Sequence, residues 1–70
     1  MTTRVRAIMI KAKECLIKGD NINASNNLNM GLVILSQLTL NGVTQTEGAS
    51  VDRWKERFWY ELEENDLIED

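Results

Sequence analysis

Apolar residues recur at intervals of three and four along the first part of the chain. Between Thr3 and Lys18 they fall within one arc of about 120° on a helical wheel, which is typical of an amphipathic helix. The residues on this arc are Val5, Ile8, Met9, Ala12, Cys15 and Leu16. Gly19 follows directly, and glycine is favoured just after the last turn of a helix. The pattern therefore predicts a first helix over residues 3–18.

A second periodic segment runs through a stretch rich in asparagine, which disfavours helices because its side chain competes for backbone hydrogen bonds. Apolar or small residues nevertheless recur there at alternating steps of four and three, the spacing of a heptad seam. This seam consists of Ala24, Leu28, Gly31, Leu35 and Leu38. We predict a second helix over residues 22–41. Because the segment from Met30 to Leu40 is apolar on most sides, we expect this helix to be buried against more than one neighbour.

Two features of the second segment have alternative interpretations. Val33 to Leu35 could form a strand, but a chain this short offers a lone strand no partner, so the helix is favoured. Gly31 could lie against a ligand or permit a close crossing of two helices. We predict the helix crossing, because this glycine falls on the apolar seam.

The third segment follows a polar stretch, Val43 to Ser50, which predicts a loop. An apolar stripe then returns at helical spacing, and it predicts a third helix over residues 50–65. The stripe consists of Val51, Trp54, Phe58 and Leu62. Trp59 and Tyr60 point away from it, and residues 61–70 form an acidic C-terminal end. The predicted fold class is therefore all-α, with residues 1–70 forming a single three-helix domain.

A chain of 70 residues is near the lower size limit for a stable core, so a further source of stability is expected. The single cysteine, Cys15, cannot close an intrachain disulfide, and the absence of histidine argues against a structural zinc site. Self-association is the remaining source of additional stability. Ile10 and Ile17 lie seven residues apart on the back of the first helix, and Ile34 belongs to the apolar excess of the second. We expect these three residues to form contacts in a homodimeric helical bundle.

The composition also argues against catalysis. Without histidine the chain lacks the usual general base at neutral pH, and Glu61, Glu63 and Glu64 belong to a run of acids expected to be solvated. We therefore predict no enzymatic activity, no catalytic residue, no cofactor and no metal. The lone cysteine, the lack of a secretory signal and the shortness of every apolar run predict a cytoplasmic protein that does not enter membranes.

Charge is distributed unevenly along the chain. Residues 1–40 carry five basic and two acidic side chains, a net charge of +3, whereas residues 41–70 carry three basic and nine acidic ones, a net charge of −6. The acidic end could simply be a solvated helix end. Acids near a helix C-terminus oppose the helix dipole, however, and this inconsistency favours a surface that serves a partner. We predict a small regulator or inhibitor, of the size that mobile genetic elements encode, that binds a basic protein partner. The predicted partner-binding residues are Trp59, Tyr60, Glu63, Glu64 and Asp66.

A resemblance supports an alternative function. Residues 38–45, LTLNGVTQ, resemble the second helix and turn of phage-repressor-type DNA-binding domains, and residues 51–54, VDRW, resemble a later part of that motif. The resemblance implies a helix-turn-helix transcriptional regulator. The segment between the two stretches, which contains Gly48, is longer than the corresponding part of the motif, and this half of the chain lacks a basic surface. A continuous exposed helix over residues 45–54 would favour DNA binding. A loop leading into a docked helix would favour an interaction protein.

Overall fold

The computed structural model of the chain describes residues 3–46 and 48–68. It is a small, mostly helical domain with three helices and a minimal two-stranded hairpin. The elements in chain order are α1 (Thr3–Lys18), α2 (Asn21–Leu40), β1 (Gln45–Thr46), β2 (Ala49–Ser50) and α3 (Val51–Glu64). All three predicted helices are confirmed, and each end lies within one residue of its predicted position.

The tight link between α1 and α2 depends on Gly19 and Asp20. Gly19 has a φ of 80°, which places it in the left-handed region that favours glycine, and the next amide donates to the carbonyl of Cys15 at 2.8 Å. Asp20 then caps α2, because its side chain accepts hydrogen bonds from the backbone and side-chain nitrogens of Asn23 at 3.2 and 2.6 Å. This cap lets α2 begin directly in the asparagine-rich stretch.

The core forms where α2 packs against both α1 and α3. The predicted seam of α2 faces this core, with Leu28 and Leu35 completely buried. Gly31 lies where α2 approaches the aromatic ring of Phe58, and a Cβ atom at this position would lie only 2.6 Å from the ring carbon Cζ. Glycine is therefore required for the close approach of α2 and α3, as predicted. The buried residues from the other two helices are Val5, Ile8, Met9, Ala12, Val51, Trp54, Phe58 and Leu62.

The outer face of α2 carries several exposed apolar side chains. Although α2 contacts two helices, its apolar residues are not covered on all sides, because Ile22, Met30, Val33 and Leu40 are exposed. The expectation that α2 would be buried against more than one neighbour is confirmed, and these four side chains lie on the part of the helix that neither neighbour covers. Two neighbouring helices cover only part of a helix circumference.

The segment between α2 and α3 is a hairpin, so the all-α prediction was wrong in this detail. Gln45 pairs with Ser50 and Thr46 pairs with Ala49 in antiparallel register. Strands of two residues are too short to be stable alone. A contact with α3 holds the hairpin, because the indole nitrogen of Trp54 donates to the carbonyl of the buried Thr46 at 3.2 Å.

Candidate functional site

The exposed face of α3 is fixed by how the helix starts and docks. Ser50 caps it by accepting a hydrogen bond from the backbone nitrogen of Arg53 at 3.1 Å. The predicted stripe is confirmed, since all four of its residues are buried. With that face in the core, both Trp59 and Tyr60 are exposed, as the sequence predicted.

Trp59 forms part of a groove of about 400 Å³ between the first half of α2 and the end of α3. We call this the Trp59 groove. Polar side chains of α2 line one side of the groove, and apolar side chains of α3 and of the residues that follow it line the other. The groove is lined by Ser25, Asn26, Asn29, Trp59, Leu62, Leu67 and Ile68. The Trp59 side chain is 49% exposed, so a large apolar surface borders an open, partly polar recess.

The chain reverses direction after α3, and the residues that follow line the Trp59 groove. Asp66 has a φ of 55°, in the left-handed region, and the amide of Leu67 donates to the carbonyl of Leu62 at 2.8 Å. Leu67 then packs against the core, and Ile68 lies beside the groove. A non-glycine residue with positive φ is uncommon, although aspartate tolerates it better than most residues do. Asp66 is exposed at this reversal.

Tyr60 lies on a different groove from Trp59. It borders a smaller recess of about 220 Å³ between α1 and α3, together with Arg6, Ile10 and Lys13. A hydrogen bond from its hydroxyl to the Glu64 carboxylate, and the negative charge of that carboxylate, raise the pKa of Tyr60 above its ordinary value of 10.0. The phenol therefore remains a protonated hydrogen-bond donor at neutral pH.

The predicted partner-binding residues thus form two groups. Trp59 lies on the α2 side of α3, and Glu63, one turn further along, is on that same side. Tyr60 and Glu64 lie towards α1. Glu61, also in the predicted acidic end, is partly buried and lies 3.4 Å from the Lys13 ammonium, so it connects α3 to α1. Residues 69 and 70 of the acidic end lie outside the described residues.

The predicted self-association residues do not share one surface. Ile10 is exposed on the groove between α1 and α3, and Ile17 is exposed near the end of α1. Ile34 is partly buried against the core and lines a third groove, of about 430 Å³, with Arg4 and the hairpin residue Thr46. Ile10 and Ile17 therefore share one side of α1, seven residues apart, whereas Ile34 belongs to a different part of the surface.

Sequence reasoning missed the α2 side of the Trp59 groove. Asn26 and Asn29 were interpreted only as poor helix formers, yet they lie one turn apart on a face that borders Trp59. Their i, i+3 spacing was the available signal, because it puts both amides on the same side of a helix.

The remaining observations concern chemistry and relatives. Within residues 3–46 and 48–68, no three Asp, Glu or Cys side chains are arranged so that they could hold a metal ion. None of the helices in the described part of the chain is long and apolar enough to cross a membrane. Comparisons with protein-family models, curated proteins and solved structures found no match to this chain.

Proposed function

We propose that this protein is a non-enzymatic interaction module, a small acidic regulator or inhibitor that presents α3 to a basic protein partner. The observation that carries the proposal is the position of Trp59. Its side chain is 49% exposed, and it lines an open groove together with Leu67 and Ile68.

A half-exposed tryptophan beside such a groove is suited to anchoring a partner. Tryptophan can bury about 150–250 Å² of surface, and it is enriched among residues whose truncation strongly weakens protein–protein binding. The asparagine amides across the groove can donate and accept hydrogen bonds, which would orient a bound segment. An apolar side chain of the partner would fit against the Trp59 ring, with polar groups facing Asn26 and Asn29.

The charges near this groove support a basic partner. Glu63, Glu64 and Asp66 are exposed around the end of α3, and residues 41–70 carry a net charge of −6. Exposed acids at the edge of an interface accelerate association with a positively charged surface and reject acidic ones. The same charges repel the phosphate backbone of nucleic acids.

The DNA-binding alternative has less support. Residues 45–46 pair with residues 49–50, and α3 begins only at Val51 with its apolar stripe docked in the core. This arrangement corresponds to a loop leading into a docked helix, which favours an interaction protein. The resemblance of residues 38–45 and 51–54 to phage-repressor-type domains remains the basis of the alternative proposal.

We further propose that the protein acts as a homodimer. A chain of 70 residues with one cysteine and no histidine has few other means of extending its core. Several large aliphatic side chains are exposed on more than one helix, among them Ile10 and Ile17 on α1 and Val33 and Leu40 on α2.

Affinity capture from the source cell, followed by mass spectrometry, tests the interaction proposal. The wild-type protein should enrich at least one basic protein, and Trp59→Ala should lose it because the groove loses its largest apolar wall. Met30→Ala is the matched control, since Met30 is 50% exposed and lies outside the Trp59 groove. Equal capture by the wild-type protein and Trp59→Ala would contradict the proposal.

A further inference from the structure

The exposed side of α2 carries a second heptad seam. Its residues are separated by steps of four, three, four, three and four, and all of them are exposed. We call this set the outer seam: Ile22, Asn26, Asn29, Val33, Ser36 and Leu40. It lies about 200° round the helix from the buried seam, because the two patterns are offset by two residues at about 100° each. α2 therefore has heptad spacing on both faces, and within the described residues only the inner face is covered.

The apolar members of the outer seam are strongly exposed. The side chains of Ile22, Val33 and Leu40 are 77%, 55% and 86% exposed. They occur at the two ends and near the middle of a helix that is about 30 Å long, at about 1.5 Å per residue. Scattered single exposed aliphatics are normal on a protein surface. Ile22, Val33 and Leu40 instead lie along one line of the helix, a placement that suits pairing with another helix.

Charge distinguishes α2 from its neighbours. None of the 20 residues from Asn21 to Leu40 is Asp, Glu, Lys or Arg, although 27% of the chain is charged. α1 carries five basic side chains and one acidic one, so two copies of α1 facing each other would repel. Two copies of α2 can face each other without bringing any charges of their own together.

The polar members of the outer seam also suit an identical partner. Each asparagine amide contains both donors and an acceptor, and the serine hydroxyl can do either, so each can bond to the same group on another copy. A two-fold symmetric interface requires this kind of self-complementary surface. Polar residues within a helix-pairing seam also fix its register at some loss of stability.

We propose that a second copy of this chain docks on the outer seam of α2 and forms a two-fold symmetric helix pair. This inference goes beyond the proposed partner binding, because it assigns a different occupant to a surface that shares only Asn26 and Asn29 with the Trp59 groove. It also replaces Ile10 and Ile17 as the expected self-association contacts, since those residues lie on the basic helix α1.

Sedimentation equilibrium at tens of micromolar, with circular dichroism to check folding, tests the inference. The wild-type protein should sediment with twice the 8.0 kDa mass of the chain. Val33→Lys/Leu40→Lys should sediment as the single chain with its helical signal intact, because both positions are exposed and the lysines would face each other across the pair. Ile10→Lys/Ile17→Lys is the matched control and should remain dimeric.

Three results would overturn the inference: a monomeric wild type, a dimeric Val33→Lys/Leu40→Lys variant, or a control variant that alone becomes monomeric. Ser36→Lys provides a second test if the double variant fails to fold, because it inserts a charge into the seam without changing an apolar residue. It should also become monomeric, and a dimeric Ser36→Lys protein would contradict the proposal. Neither lysine variant alters a residue lining the Trp59 groove, so capture of a basic partner tests the proposed function separately.

Discussion

α2 and α3 bury their inner faces in the same core, yet their outer faces are unlike. The 20 residues of α2 include no charged side chain, whereas eight of the 14 residues of α3 are charged. Both inner faces follow the spacing that helix packing requires, and so they determine the fold. The outer faces are free of that requirement. Their contrast is the reason for assigning an identical copy to α2 and a basic protein to α3.

The two helices also differ in how they begin. Asp20 caps α2 and Ser50 caps α3, each by accepting a hydrogen bond from a backbone nitrogen three residues later. The two bonds have similar lengths, 3.2 and 3.1 Å. Only the aspartate carries a charge that titrates, so α2 starts with a pH-sensitive cap although the helix itself is uncharged.

The largest expected effect separates the two faces of α3. Trp54→Ala should lower the free energy of unfolding by about 3–5 kcal/mol, because it empties a large core site and removes the donor that holds Thr46. Trp59→Ala should lower it by no more than about 1 kcal/mol, because half of that side chain is already in water. Chemical denaturation of the two variants measures the difference.

The relative losses of stability of the two alanine variants test which face of α3 is buried. A loss for Trp59→Ala equal to or larger than that for Trp54→Ala would show that the assignment of inner and outer faces on α3 is wrong. Trp54→Phe keeps most of the apolar volume but removes the indole nitrogen. The free energy of unfolding of Trp54→Phe should lie between those of the wild type and Trp54→Ala.

A smaller effect concerns the caps. Hydrogen bonds from the side chain and backbone of Asn23 hold the pKa of Asp20 below its ordinary value of 3.8. A lowered folded-state pKa means that the cap contributes stability above the unfolded-state pKa and that this contribution is lost as pH falls through the folded-state pKa. We therefore expect the melting temperature of wild type to drop relative to Asp20→Ser as pH is lowered below about 4.

The comparison with Asp20→Ser isolates this cap, because both proteins share every other titrating group and serine also caps helices. Ser50→Asp provides the converse variant and should introduce the same pH dependence at the start of α3. A constant difference in melting temperature between wild type and Asp20→Ser from pH 7 to pH 2 would contradict the role of Asp20.

The helices and most of the core could be predicted from the sequence because spacing alone determines which side chains share a helix face. This worked even for α2, where the asparagines disfavour helix, since the seam from Ala24 to Leu38 runs through them. Val33 to Leu35 are helical for the same reason. The close approach at Gly31 was predictable because a residue without a side chain stood on an otherwise apolar seam.

The hairpin could not be predicted because it depends on a contact with α3 and not on a pattern in its own sequence. The sequence of residues 45–50 has no alternation of apolar and polar positions. The hydrogen bond from the indole nitrogen of Trp54 to the carbonyl of Thr46 holds the two short strands in place. The Trp59 groove could not be predicted either, because it also depends on how the helices pack. Nothing in the sequence places Asn26 and Asn29 opposite Trp59 until the packing of α2 against α3 is known. Exposure of Trp59 and Tyr60 was predictable, but their separation onto two grooves was not.

The most direct test of partner binding neutralises the acidic end. Glu63→Gln/Glu64→Gln/Asp66→Asn should keep the helical signal, because it removes negative charge near the C-terminus of α3. It should weaken capture of the basic partner about tenfold at low salt, since three exposed charge pairs contribute about 0.2–1 kcal/mol each. Glu14→Gln/Asp52→Asn/Glu56→Gln changes the net charge equally at exposed positions outside the acidic end, and it should bind nearly as wild type.

Capture of the partner and a gel shift with duplex DNA, both performed on these variants, decide between the two proposed functions. We predict that wild-type capture weakens as salt rises, that neutralising residues 63, 64 and 66 reduces it, and that neither variant gains DNA binding. Unchanged capture together with tighter DNA binding after neutralisation would contradict the account and favour the DNA-binding regulator, because removing acids reduces repulsion from phosphate.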